Sequence, residues 1–140
     1  MAATYSIVIL GCDNDLQLAE HVDQAFEVLM VQDEAQCLQA LSEKKYQLVL
    51  ADMTCASISV SDICKKIKSD FDLPVIFVSS KDCNAERLEA YDCGADDYLG
   101  IDDLATELHG RLERIVINKI ANDQLKLQLA QANEMAFIAM

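Results

Sequence analysis

The chain has 140 residues, with 24 Asp and Glu against 11 Lys and Arg, a formal net charge of −13 and a hydrophobic content of 52%. That is enough apolar side chain for the core of one compact domain, which excludes a disordered acidic tail and a small scaffold dependent on staples. The acidic excess also opposes direct contact with a nucleic-acid backbone or an anionic membrane, because like charges repel at physiological salt.

In chain order, apolar runs of strand length alternate with stretches of helical period. Tyr5 to Leu10, Glu27 to Val31, Tyr46 to Ala51, Pro74 to Ser79 and Asp97 to Leu99 are the expected strands. Several are too uniformly apolar for a one-sided sheet and fit strands covered on both faces. Between them, apolar residues recur at three and four: Leu16, Ala19, Val22 and Ala25; Ala35, Leu38 and Leu41; Val60, Ile63, Cys64 and Ile67; Leu88 and Tyr91. These spacings predict amphipathic helices. Repeated strand-then-helix units with short connections specify right-handed crossovers, hence a doubly wound α/β domain with a parallel sheet. Beyond Asp103 a helical pattern runs almost to the C-terminus without Pro. Leu104, Leu108, Leu112, Ile115 and Val116 are expected to pack on the sheet. Ile120, Leu127, Ala130 and Phe137 then form a thin seam, suited either to a frayed tail or to pairing with a second copy.

In a doubly wound sheet, function gathers in loops after the carboxyl ends of the strands. Here these are Gly11 to Asp15, Asp52 to Ser59, Ser80 to Asn84 and Gly100 to Asp103. The first loop has neither G-x-G-x-x-G nor a P-loop pattern, so nucleotide binding is a poor reading. No nucleophile–base pair stands out, which leaves an enzyme the least supported class. Six cysteines at irregular spacings, with no C-x-x-C, do not make a disulfide framework. With no basic leader and no apolar run of membrane-spanning length, a cytoplasmic location is expected.

Three stretches resemble one family. Tyr46-Gln-Leu-Val-Leu-Ala-Asp52, Pro74-Val-Ile-Phe-Val-Ser79 and Gly94-Ala-Asp-Asp-Tyr-Leu99 resemble, in order and spacing, segments of the receiver domains of bacterial two-component response regulators. The resemblance covers about residues 5 to 117. It implies a flavodoxin-like five-stranded parallel sheet of order 2-1-3-4-5 with helices on both faces and, here, an extended C-terminal helix. Residues 1–117 would form the receiver-like domain and 118–140 a helical extension or linker. The phosphoacceptor would be Asp52, and Ser79 and Tyr98 would be the residues that sense the phosphoryl group.

The departures from the family pattern are equally specific. Receivers place two acidic residues directly after the first strand to hold Mg²⁺, and aligning on Asp15-Leu16 puts these positions at Gly11 and Cys12. A one-residue slip would make Asp13 a ligand, at the expense of turning Gln17 toward the core in place of Leu16. The family's Lys after the fifth strand becomes Ile101, followed by Asp102, and the usual Met-Pro-Gly after the phosphoacceptor becomes Cys55-Ala56-Ser57. Mg²⁺ wants hard oxygen ligands, and among these positions only Asp52 and a backbone carbonyl near Thr54 remain, with Asp13 if the alignment slips. Loss of one electrostatic contributor to phosphoryl transfer can cost about 100 to 1,000-fold in rate. The expectation is therefore a degenerate phosphorylation pocket, no cofactor, and action through protein contacts with a histidine kinase or output module, including a possible homodimer through residues 104 to 137.

Two alternatives stay open. One is a conventional receiver, phosphorylated on Asp52 with an atypical Mg²⁺ site around Asp13. The other is a thiol-based redox or metal sensor built on Cys12, Cys55 and Cys83, which fall in three loops at one sheet edge; Cys37, Cys64 and Cys93 look structural. His21 and His109 belong to no recognisable site. From Asp82 to Glu107 nine acids stand against the single Arg87, on what the resemblance makes a partner face, so a basic partner is expected there. Lys65, Lys66 and Lys68 are too few to imply nucleic acid binding. The chain stops in the apolar run Met135 to Met140, which fits a piece of a longer regulator.

Overall fold

The computed structural model describes residues 5–11, 22, 26–53, 59–79 and 84–139. Its strands are β1 (Tyr5–Leu10), β2 (Phe26–Val31), β3 (Leu48–Asp52), β4 (Val75–Ser79) and β5 (Asp97–Gly100). They form one sheet of order β2-β1-β3-β4-β5, with every neighbouring pair parallel. This is the expected flavodoxin-like arrangement. Expected and observed strands agree to within two residues; β3 starts later, at Leu48, because Tyr46 and Gln47 still belong to the turn into the sheet.

Described helices are α1 (Glu34–Glu43), α2 (Val60–Lys66), α3 (Asn84–Asp92) and α4 (Leu104–Ala139). The period of two along the central strands divides their side chains between two cores. On one face Val8, Leu10, Val49, Ala51, Val75, Phe77 and Tyr98 pack with Cys37 and Leu41 of α1, Ile63 and Cys64 of α2, and Ala90 of α3. On the other, Ile7, Ile9, Leu48, Leu50, Ile76, Val78 and Leu99 pack with Leu104, Leu108, Leu112 and Val116 of α4. Burial on both faces is the reason these strands read as continuous apolar runs.

Local signals set the helix ends. Asp33 caps α1, its carboxylate accepting from the Gln36 N–H at 2.8 Å, while the Gln36 side chain reaches back to the Gln32 N–H at 2.9 Å. After α2 the backbone widens into a π-helical turn, Ile67–Phe71, and Asp72 ends it in the left-handed region at φ 52°. Gly94, at φ 98°, closes α3: its N–H donates to the Tyr91 carbonyl and that of Ala95 to the Ala90 carbonyl. That is a Schellman stop, which needs a residue at ease with positive φ.

One expected helix face is corrected. On α3 the apolar residues Leu88 and Tyr91 are 63% and 44% exposed, and Ala90 makes the core contact. A small residue faces the sheet because α3 lies close over Phe77 and Tyr98, whose bulk already fills that layer. Of the helix expected between β1 and β2, Leu16, Ala19 and Ala25 lie outside the described residues.

α4 is one continuous helix of 36 residues, about 54 Å long. It passes residues 117 and 118 without a break, and Lys119 ties it to the domain through Asp72 at 2.8 Å. Farther on, Leu125, Leu127 and Leu129 are exposed. Among the described residues no helix is long and apolar enough to cross a membrane.

Candidate functional site

Strand register brings the expected site residues to one edge of the sheet. Leu10 pairs with Ala51, so Gly11 and Asp52 are the next residues on adjacent strands. Asp52 pairs with Val78, and Ser79 with Gly100, so Ser79 follows on β4 and Ile101 on the chain leaving β5. Asp52 is buried, 3% exposed, and the Met53 N–H just after it donates to the Val78 carbonyl at 2.9 Å. Gly11 is also buried, its N–H donating to the Val31 carbonyl at 3.0 Å.

Alternation along β4 turns Ser79 to the same face as Val75 and Phe77, the face covered by α3. There its hydroxyl donates to the Glu86 carboxylate in the first turn of α3. Tyr98, level with Phe77 on β5, is 1% exposed, and the next residue of α3, Arg87, lays its guanidinium over the Tyr98 ring, 4.7 Å from the centroid. Consecutive residues of one helical turn thus engage both expected sensing positions. Sequence reasoning missed Glu86 and Arg87 because they were counted only as charges in a run. The available signal was their place in the first turn after β4, seven and eight residues past Ser79.

Asp97, a second buried carboxylate, opens β5 opposite Ile76, at the amino end of the sheet and away from Asp52. It accepts from Arg111 of α4 at 2.7 Å, from its neighbour's backbone at Tyr98 at 2.9 Å and from the Tyr91 hydroxyl at 3.3 Å. Arg111 is held above its ordinary basicity chiefly by that Asp97 bond, and it also reaches Glu107 at 2.8 Å. Asp96, next to it, pairs with Lys68 and accepts from the Val75 N–H at 2.8 Å. The acidic stretch of nine is therefore partly neutralised by bases from outside it, Lys68 and Arg111. Glu89, Asp92 and Asp102 stay exposed.

A metal would need oxygen ligands beside Asp52. Gly11 offers no side-chain donor, and among the described residues no group of three His, Cys, Asp or Glu side chains could hold an ion. Of the positions the resemblance gives to Mg²⁺, the described residues are Asp52, which supplies a carboxylate, and Gly11, which supplies none, where an octahedral oxygen site needs several oxygens. Cys12, Asp13, Thr54, Cys55 and Cys83 lie outside the described residues, as does His21. His109 sits on the exposed face of α4, 3.3 Å from Glu113.

A parallel 2-1-3-4-5 sheet with an aspartate ending β3 and a hydroxyl residue ending β4 is the arrangement that the resemblance implies. The family model for the response regulator receiver domain matches residues 9–113. The chain belongs to that family. Among relatives of this receiver domain, the heme response regulator HssR of Staphylococcus haemolyticus is 26% identical over 124 residues, covering 82% of this chain and 54% of that one. The DNA-binding response regulator MtrA of Mycobacterium tuberculosis is 28% identical over 96 residues, 65% of this chain and 42% of that one. The chain spans about half the length of these curated relatives. A CheY-like response regulator receiver domain protein from Methanospirillum hungatei shares the fold, with a TM-score of 0.68 at 15% identity over 86% of this chain and 99% of that one.

Proposed function

We propose that this receiver domain signals through protein contacts from a degenerate phosphorylation pocket, with Asp52 retained but poorly equipped to accept a phosphoryl group. The observation that carries the reading is the Ser79 hydroxyl bonded to Glu86, beside a first-strand edge where Gly11 takes an acidic residue's place. Stabilising a phosphoryl group takes cations and donors aimed at its oxygens. Here the Ser79 donor already serves a carboxylate, and the chain leaving β5 carries Ile101, Asp102 and Asp103 instead of a lysine. None of these positions offers a cation to a further anion at Asp52. The partners in this reading are a histidine kinase or an output module, with the exposed half of α4, within residues 104–137, as the region for a homodimer. Neither nucleic acid nor a membrane is a direct partner in it.

A second reading, a receiver phosphorylated on Asp52 with Asp13 as metal ligand, is favoured by the preserved placement of Asp52, Ser79 and Tyr98 along the sheet edge. Incubation with acetyl phosphate and Mg²⁺, followed by intact mass measurement, separates the two. Little or no phosphate adduct is expected. Stoichiometric labelling that vanishes in Asp52→Asn refutes the degenerate pocket and establishes the second reading.

A further inference from the structure

Cys64 lies on the inner side of α2, fully buried in the core, and Cys93, one residue beyond α3, is partly buried against the same cluster. Both are free thiols, and Cys93 lies near enough to act on the Cys64 thiol. Cys93 donates its S–H to the Ala90 carbonyl at 3.1 Å. An open cleft of about 410 Å³ between α2 and α3, lined by Ser61, Lys65, Ala85, Leu88 and Glu89, reaches Cys93. The thiol of α2 and the thiol just past α3 belong to one core cluster, and Cys93 has a route to solvent.

We propose that Cys64 and Cys93 are a reversible disulfide pair, oxidised by a hydroperoxide that enters the cleft between α2 and α3. The Cys93 sulfur attacks the peroxide, giving a sulfenic acid and releasing the alcohol, or water when the oxidant is hydrogen peroxide. The Cys64 sulfur then displaces the hydroxyl of that sulfenic acid, and its own proton leaves with the hydroxyl as water. A dithiol reductant returns both thiols and is itself oxidised to a disulfide. Cys64 is held as the thiol, pushed up to about 12 by burial and then by the Cys93 contact, which suits it to the second step rather than the first. Closing an S–S bond of about 2.05 Å takes rotation of the two side chains and approach of the α2 backbone to the turn after α3. The bond would pin the end of α3, whose first turn holds Ser79 and Tyr98, to α2. The proposal is independent of whether Asp52 is phosphorylated.

Peptide mapping of the full chain tests it. The protein is treated with hydrogen peroxide, remaining thiols are blocked with iodoacetamide in denaturant, and the digest is read by mass spectrometry. The expected product is a Cys64–Cys93 peptide pair, lighter than its two thiol forms by two hydrogens and released by dithiothreitol. In Cys93→Ser that pair disappears and Cys64 is recovered alkylated. Recovery of both cysteines alkylated after oxidation overturns the proposal. So does Cys93 driven to sulfinic acid beside a free Cys64, or Cys64 joined to the other four cysteines as often as to Cys93.

Discussion

Replacing Arg111 by alanine tests the link between α4 and the sheet. Asp97 is 4% exposed, and Arg111 gives it the 2.7 Å bond that neutralises its charge. The Tyr98 N–H and the Tyr91 hydroxyl remain after the substitution, but neither is a cation. Removing one partner of a fully buried pair costs about 3 to 5 kcal/mol. The Arg111 side chain is 33% exposed, so water can partly replace it, and a cost of about 2 kcal/mol is expected. For a chain of this size that lowers Tm by about 4 to 8 °C. Urea unfolding followed by circular dichroism should show a lower midpoint at unchanged m. Combining it with Asp97→Asn should cost less than the sum of the single changes, because the neutral amide no longer needs the guanidinium. Arg111→Ala within about 0.5 kcal/mol of the parent, or strictly additive single effects, would refute the claim that this pair anchors β5.

Gly94→Ala meets no atom within 4 Å of the new Cβ, so its cost is the positive φ alone; about 1 to 2 kcal/mol is expected in the same unfolding assay, and a neutral result argues against the left-handed stop. Leu108→Ala, fully buried between α4 and the sheet, should cost about 2 to 5 kcal/mol, whereas Leu127→Ala, 60% exposed, should stay within about 0.5 kcal/mol unless the helix is covered by a partner. Asp72 is held below its ordinary value of 3.8, first by the Lys119 hydrogen bond. A carboxylate depressed in the folded state contributes stability above the unfolded value and loses it as pH falls through the folded one. The urea midpoint should therefore drop as pH falls below about 4, with a shallower decline in Asp72→Asn. Burial alone would lower Lys119, but its bonds to Asp72 and Asp123 outweigh that and hold it above 10.5, so its contribution is present below that value and is lost only as pH rises beyond it.

Much of the fold was legible along the chain because its signals are local. Apolar runs of strand length and the helical spacings between them each depend on a few neighbouring residues, and together they specify a doubly wound sheet. The register of β3 and β4 then brings Asp52 and Ser79 to the edge where the resemblance had set them. What periodicity could not give is the face of a short helix. Leu88 and Tyr91 satisfy helical spacing, yet Ala90 faces the core because the layer beneath is already filled.

The sequence by itself determined which side chains exist at the carboxyl edge: Gly11 and Ile101 carry no charge, whatever the fold does with them. Tertiary structure decided what the charges and thiols face. A run of nine acids became a set of separate relations, Glu86 to Ser79, Asp96 to Lys68, Asp97 and Glu107 to Arg111. Cys64 and Cys93, counted apart along the chain, came together in one core cluster. The physical reason is the same in each case: the strength of an ion pair, a hydrogen bond or a thiol contact depends on distance and burial, which are properties of packed neighbours and not of sequence neighbours.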